Sequence, residues 1–579
     1  MHKKNIWLVL ALVAALIAVV GVATACGSGT ATTTTAVGAT TTTGAPSAET
    51  TTTAAPAETT TTAAANAPAD GGTLRYDLGE PSFIDPSVAF ESEGIQVDQA
   101  IFDSLLQFDF KTNALLPDVA TSWEVSADGL TWTFHLRKDS TFSNGRGVVA
   151  GDFKYAWTRQ SAPETKSNYG NLLASVKGYD ELQAGTSKEL PGLVAVDDYT
   201  FQVNLKSPLP DFPLIAAMVM LSPVPKEEVE KDPKAYAEMP IGNGPFKMSE
   251  PWQHDQAIKV VKRADYAGTM PHIDGIDFKI YKDDPTAYLD FQAGNLDYVR
   301  LPTGQFNDAA ARYGKSDDGF TVNPGKQVLW GPTLGIYEIV INTQNPLFKD
   351  NPDLRQALCL AVNRQAIIDT LFDGTRQPAT SIVPAGTTGY EDGAFKYGKY
   401  DVEAAKAALA KAGYPDGKGL PTIPLSFNNN ADHGPIMQLV QADLKAIGIN
   451  TTLDGSPAKD YWAKAGEGGP TFFIGRSGWI ADYPAIDNFI FNLYSSKGGN
   501  NYSHVNVPEI DKAIDDARSM ADPKAALAAE QAAVKLIGDY CPDIPVMYYS
   551  HYDLGSDKVH DMVYSPMMFM DFTTMWMSQ

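Results

Sequence analysis

Over residues 130–137 the chain reads LTWTFHLR, with Trp132, Phe134 and Leu136 on one side of an extended backbone and Thr131, Thr133 and His135 on the other. This period of two predicts a half-buried β-strand. The pattern returns after an Asp197-Asp198 turn, where Tyr199, Phe201, Val203 and Leu205 alternate with polar residues. Helical spacing takes over further on. Asn351 is placed to cap a helix starting at Pro352, a residue suited to the first helical position. Leu354, Leu358, Ala361, Gln365, Ile368 and then Leu371 or Phe372 mark one mostly apolar side of it. Asp401 is placed to cap a second helix over 402–412, closed by Gly413 and Pro415. A third helical stretch, about 508–540, is predicted to break at Asp522-Pro523. Residues 544–549 read as a buried strand, and the apolar tail MMFMDFTTMWM as packed. Strand and helix signals mixed without a clean repeat predict an α/β or α+β body.

The amino terminus does not share these patterns. Lys3 and Lys4 precede an apolar run over 6–22, and Ala23-Thr24-Ala25 stands just before Cys26. The layout predicts an export signal; the run alone is also nearly long enough for a membrane anchor. Small residues before that cysteine resemble the lipobox of bacterial lipoproteins, which implies acylation of Cys26 and attachment to the outer face of the cytoplasmic membrane. Residues 27–71 are dominated by Thr, Ala, Pro, Ser and Gly, cannot bury a core, and read as a disordered tether spanning roughly 35–40 Å. A chain of 579 residues is too long for one core and predicts two or three domains. The formal net charge of −24 argues against a nucleic-acid partner. Cys359 and Cys541 are the two cysteines beyond Cys26. Their separation excludes zinc spacing; in an exported protein they could pair, and two buried free thiols is the other reading. No histidine stands in a metal-ligand motif, GRSGW (475–479) lacks the spacing of a nucleophile elbow, and GNGPF (242–246) reads as a turn. His551 and His560 read as structural, His135 lies on the polar face of its strand, and no cofactor is expected.

Several blocks carry a resemblance. LPDVATSWEVSADGLTWTFHLRKDSTFSNGRGVVAGDFKYAWTR (116–159), IGNGPFKM (241–248), NPDLRQALCLAVNRQAIID (351–369), and the opening GTLRYDLGEPSFIDP (72–86) before IFDSLL stand in order along the chain. Together they resemble the large extracytoplasmic solute-binding proteins of the oligopeptide/dipeptide/nickel-binding family of ABC importers. The resemblance implies an α/β, two-lobed, periplasmic-binding-protein-like clamshell with an extra inserted domain. Lobe one would comprise 72–92, 223–335 and 546–579, the insert 93–222, and lobe two 336–545. Two crossings, near Pro332 and Pro545, would make a hinge.

The same resemblance singles out GRSGWIADYPAIDNF (475–489). Asp482 matches the family aspartate that neutralises a peptide's α-ammonium, flanked by Trp479 and Tyr483. Arg476 matches an arginine that meets the ligand's carboxylate end, and Tyr169 a tyrosine that touches its backbone. Physical chemistry supports such a site. A peptide's backbone groups must be paired inside a closed cleft, a carboxylate among aromatics suits an ammonium, and an arginine fork suits a carboxylate. The residues alone leave other readings: Asp482 capping the turn before Pro484, Arg476 in a structural ion pair, Trp479 and Tyr483 as core aromatics. Many relatives read D-Y-P-D-P-D-N-F, where this chain has Ala485-Ile486 in the middle. Nine residues before Arg476, where some oligopeptide binders have a second arginine, stands Glu467. The expectation is a monomeric, non-enzymatic substrate-binding lipoprotein that delivers oligopeptides or dipeptides to an ABC permease. The same fold serving an oligosaccharide or metal chelate, an exported tethered hydrolase, and a surface adhesion or signalling lipoprotein are the alternatives.

Overall fold

The computed structural model describes residues 68–429 and 433–578; Cys26, the export segment and nearly all of the tether lie outside the described residues. One mixed sheet runs through the body. Its strands lie in the order Thr451–Ser456, Ile423–Asn428, Ile474–Ile480, Val328–Ile341, Asp543–Gly555, Tyr298–Arg300, Thr73–Leu78, Gly275–Ile280, Ala257–Lys262 and Phe246–Met248. Two long antiparallel strands, Val328–Ile341 and Asp543–Gly555, cross the middle. One side of the crossing packs on a core that includes Leu74, Tyr76, Ile276, Phe278 and Leu329. The other packs on a core that includes Ile339, Leu358, Leu425, Phe489 and Ile544. These are the two lobes. Where the strands pass between them the register breaks: Pro332 pairs with Ser550 and Ile336 with Tyr548, so residues 333–335 stand opposite Tyr549 alone. Extra residues on one strand disrupt the ladder and bend it. The Leu334 N–H donates instead to the Pro566 carbonyl at 2.9 Å.

A separate four-stranded antiparallel sheet, in the order Ala120–Val125, Thr131–Leu136, Thr200–Asn204, Leu193–Asp197, holds the first alternating segments. Trp132, Phe134 and Leu136 are buried as their period requires, and so are Phe201 and Val203. Thr133, on the polar side, is also covered and accepts from Gln202 Nε2 at 3.2 Å. Helix Ala150–Ser161 packs Phe153 and Trp157 against Phe201 of this sheet.

The helical stretch starting at Pro352 is two helices, not one. Pro352–Ala361 ends at Val362, and Asn363 caps a second helix, Arg364–Leu371, by accepting from Ala366 N at 3.1 Å. Gln365 consequently faces solvent while Ile367 and Ile368 are buried. Asn351 caps the first helix, accepting from Leu354 N at 3.1 Å, and Asp401 caps Val402–Lys411, accepting from Ala404 N at 3.0 Å. The stretch near the carboxyl terminus splits as expected into Pro508–Arg518 and Pro523–Tyr540, with Asp522 as the second cap. The buried strand is longer than 544–549, and the tail is packed, with Met570, Phe572, Met575 and Trp576 at most 4% exposed. Asn351→Ala is expected to cost about 1 kcal/mol, the worth of an N-cap, read as a lower urea midpoint with unchanged slope.

Candidate functional site

Strand Ile474–Ile480 pairs with the crossing strand Val328–Ile341, setting Arg476 opposite Ile339 and Ile480 opposite Gly335. The pairing is close: a Cβ on Gly478 would stand 2.3 Å from the Tyr549 hydroxyl oxygen and 2.9 Å from the Ile336 carbonyl oxygen. Only glycine fits there without displacement. The chain then turns through Asp482 and enters helix Ile486–Tyr494.

Asn488, buried in the first turns of that helix, organises the turn. Its Oδ1 accepts from Trp479 Nε1 at 2.7 Å and from the Asp482 backbone N–H at 3.2 Å. Its Nδ2 donates to Asp482 Oδ2 at 3.1 Å. The other carboxylate oxygen, Oδ1, accepts from the Tyr169 hydroxyl at 3.0 Å, across 313 positions of sequence. The segment around Tyr169 and the second lobe thus meet at Asp482. Burial pushes its carboxyl up to about 6, against the hydrogen bonds from Asn488 and Tyr169 that favour the ionised form. Burial and the adjacent carboxylate push the Tyr169 phenol well above its ordinary value. Both groups that bond the Asp482 side chain are neutral, and among the described residues it makes no ion pair. What the turn presents is a costly negative charge held in place without a counter-ion. Tyr169→Phe leaves one carboxylate oxygen without its donor, so it should cost the fold about 1.5–3 kcal/mol, the worth of a hydrogen bond to a charged group, read as a lower urea midpoint.

The flanking aromatics differ. Trp479 is half-buried, with its indole N–H spent on Asn488. Tyr483 is 4% exposed and donates to Asp487 at 2.9 Å, and it belongs to the buried core that spans residues 95–221 and the first lobe. Arg476 is half-buried, its guanidinium carbon 5.6 Å from the Tyr337 ring centre and 5.5 Å from that of Trp462. Its Nε is buried without a hydrogen-bond partner among the described residues.

Near Arg476 the structure brings two residues that sequence reasoning missed. His433 lies 5.7 Å from the Tyr337 ring, and burial together with the Arg476 and Arg376 guanidiniums pushes its imidazole down to about 4. Arg376 stacks 3.8 Å over Phe372, and its Nε is also buried and unpaired among the described residues. Three basic side chains from 100 positions of sequence share one neighbourhood, and no local spacing announces that. A cavity of about 390 Å³ opens beside them, at the crossing of the lobes, with Arg300, Phe306, Thr333, Arg376, Ile480 and Tyr549 in its wall. Its size is that of a small-ligand site. Asp482 does not line it; Ile480, two residues earlier on the same segment, does. Among the described residues no group of three or more His, Cys, Asp or Glu side chains could hold a metal ion, and no helix is long and apolar enough to cross a membrane.

Residues 114–501 match the model of bacterial extracellular solute-binding proteins, family 5 middle. The chain is 30% identical over 485 residues to the oligopeptide-binding protein OppA of Bacillus subtilis, covering 81% of this chain and 86% of that protein. It is also 30% identical over 484 residues to heme-binding protein A of Haemophilus influenzae, covering 81% and 85%. Among solved structures, Haemophilus influenzae OppA in complex with the peptide RPPGFSPFR superposes with a TM-score of 0.71 at 26% identity, over 88% of this chain and 99% of that one.

Proposed function

The chain belongs to the bacterial extracellular solute-binding proteins of family 5, and on that premise we propose that it captures oligopeptides or dipeptides between its lobes and delivers them to the permease of an ABC importer. Asp482 receives the ligand's ammonium, Trp479 walls that seat, and Tyr169 holds the carboxylate from the insert. The edge of the lobe-two segment around Ile480 pairs with the ligand backbone, and Arg476 attracts the carboxylate end, with His433 and Arg376 beside it. Tyr483 supports the turn from beneath through Asp487. In this reading lobe one is 72–92, 223–335 and 546–579, the insert is 93–222, and lobe two is 336–545. A lipid on Cys26 holds the body at the outer face of the cytoplasmic membrane, and no reaction is catalysed.

The single observation that carries the reading is the Asp482 carboxylate, fixed by Asn488 and Tyr169 and matched by no cation among the described residues. Burying an unmatched charge costs stability, and a ligand ammonium recovers it. Closure follows because a ligand that contacts both lobes binds the closed form better than the open one, and only that difference shifts the population. The test uses residues 72–579, released from co-purifying ligand by mild unfolding and refolding, and titrated with one peptide in free and N-acetylated forms. The free peptide is expected to bind and to raise the melting temperature; the acetylated one is expected to do neither at the same concentration. Equal binding of both forms removes Asp482 from the amine seat. No response to any peptide library turns the assignment to a non-peptide solute.

A further inference from the structure

Cys359 and Cys541 stand 182 positions apart in the chain. Cys359 is in helix Pro352–Ala361; Cys541 is the residue that ends helix Pro523–Tyr540, just before strand Asp543–Gly555. Both are fully buried, and their Sγ atoms are 2.7 Å apart, closer than two unbonded sulfur atoms rest against each other. The backbone on each side is fixed by buried arginines. Arg355 donates to the Tyr540 carbonyl at 2.8 Å and to the Cys541 carbonyl at 3.2 Å. Arg364 donates to the Cys359 carbonyl at 3.2 Å and to the Pro545 carbonyl at 2.6 Å. Cys541 itself ends its helix at φ 55°, in the left-handed conformation with which helices often stop. Two cysteines brought together this way from distant segments have the placement a cross-link needs.

We propose that Cys359 and Cys541 are joined by a disulfide in the exported protein. The bond closes a loop that contains Arg376, His433, Arg476, Trp479, Asp482 and Asn488, and it fastens that loop's ends to each other at the foot of a strand that crosses to the first lobe. In forming it the two thiols lose two protons and two electrons, and a sulfur–sulfur bond replaces two S–H bonds. The electrons go to a disulfide-bearing oxidant of the thiol–disulfide oxidoreductase class, which leaves as its dithiol. The relatives are extracellular solute-binding proteins, and compartments outside the cytoplasm permit such oxidation. Burial pushes the Cys541 thiol well up, so in the finished fold it supplies little thiolate and admits no oxidant. The exchange therefore belongs to folding outside the membrane, before helix Pro523–Tyr540 packs. Closing so long a loop restricts the unfolded chain, which is where a disulfide exerts much of its stabilisation.

The test takes the full chain from the membranes of an exporting cell and unfolds it in a thiol-alkylating reagent without reductant. The peptides holding Cys359 and Cys541 are then mapped by mass spectrometry, with Cys26 scored apart. The expected result is one linked pair of peptides, lighter than the separate peptides by two hydrogens and carrying no alkyl group. After reduction both cysteines should take the label. Alkylation of both cysteines without reductant, in protein shown to be outside the cytoplasm by protease accessibility of intact cells, overturns the proposal.

Discussion

Replacing Asp482 with asparagine is expected to weaken binding of a free-amine peptide by roughly 30- to 5,000-fold, the range that corresponds to losing one partner of a desolvated, hydrogen-bonded charge pair at about 2–5 kcal/mol. Coulomb attraction supplies a figure of the same size: about 4 kcal/mol for charges about 4 Å apart at an effective dielectric of about 20, before desolvation is subtracted. The substitution keeps the shape of the turn. Asparagine has one acceptor oxygen where aspartate has two; with it turned to Tyr169, its amide nitrogen meets the Asn488 amide nitrogen, donor against donor, so the fold should lose about 1–3 kcal/mol, read apart from binding by urea unfolding. An N-acetylated peptide, which the native protein should bind only weakly, should lose no further affinity on this substitution, because it brings no ammonium to set against a carboxylate. Isothermal titration of both peptides against both proteins gives the coupling directly.

The pH dependence follows from the same carboxyl. Folding raises it from 3.8 to about 6. Its protonated form therefore favours the empty fold, fully so below about pH 3.8, and that contribution is lost as pH rises through about 6. The ligand needs the opposite form. Affinity for a free-amine peptide should be level above about pH 7 and fall toward tenfold per unit below about pH 6. The ligand-induced rise in melting temperature should grow over the same interval. Equal affinities at about pH 5 and about pH 7.5 would show that the ammonium is held elsewhere.

Tyr494→Phe should be the more damaging change for the fold. Glu338 and Asp543 are neighbours on the two crossing strands, 1% and 0% exposed, and Tyr494 sits over both. Its hydroxyl donates to Asp543 Oδ2 at 2.5 Å and lies 3.1 Å from Glu338 Oε2. Burial, with Asp543 beside it, pushes the Glu338 carboxyl well up; burial also raises Asp543, opposed by hydrogen bonds from Glu338 and Tyr494. The pair is thus stable holding a proton, and its contribution is lost as pH rises through the raised values. Without the phenol a buried acceptor goes unpaired, at a cost of about 1–3 kcal/mol, and the cost should be larger at about pH 9 than at about pH 6. Glu338→Gln supplies a neutral donor in place of the shared proton and should flatten the alkaline loss. Urea unfolding at both pH values decides; a penalty independent of pH would mean the two carboxyls do not share a proton.

What could be read from the sequence followed the range over which each signal acts. Alternation along 130–137 and 199–205 is local, and both segments became strands with the expected faces buried. Caps at Asn351 and Asp401 and the break at Asp522-Pro523 are local too. The break at Val362–Asn363 was missed because apolar residues continue at roughly helical spacing through it, while Asn363 ends one helix and caps the next within two positions. The two-lobed fold came from resemblance, since periodicity carries no topology. Asp482 was marked by its aromatic neighbours, but its anchors were not. Asn488 looked like an ordinary residue in a helix start. The bond from Tyr169 joins segments that only the folded chain brings together. Arg376 and His433 went unnoticed for the same reason: an arginine in a loop and a histidine in the first turn of a helix gain meaning only when a third basic residue arrives beside them.

The two strands that join the lobes belong to one sheet, and their ladder slackens where residues 333–335 face Tyr549. Card folds along a scored line for the same reason, and it folds about that line alone. If the lobes close about that line, every solute, whatever its side chains, is approached along one arc. In the binding reading proposed above, choice among solutes would rest on what the two walls press against when they meet, and an exchange of wall residues should retune the cargo while leaving the line of folding where it is.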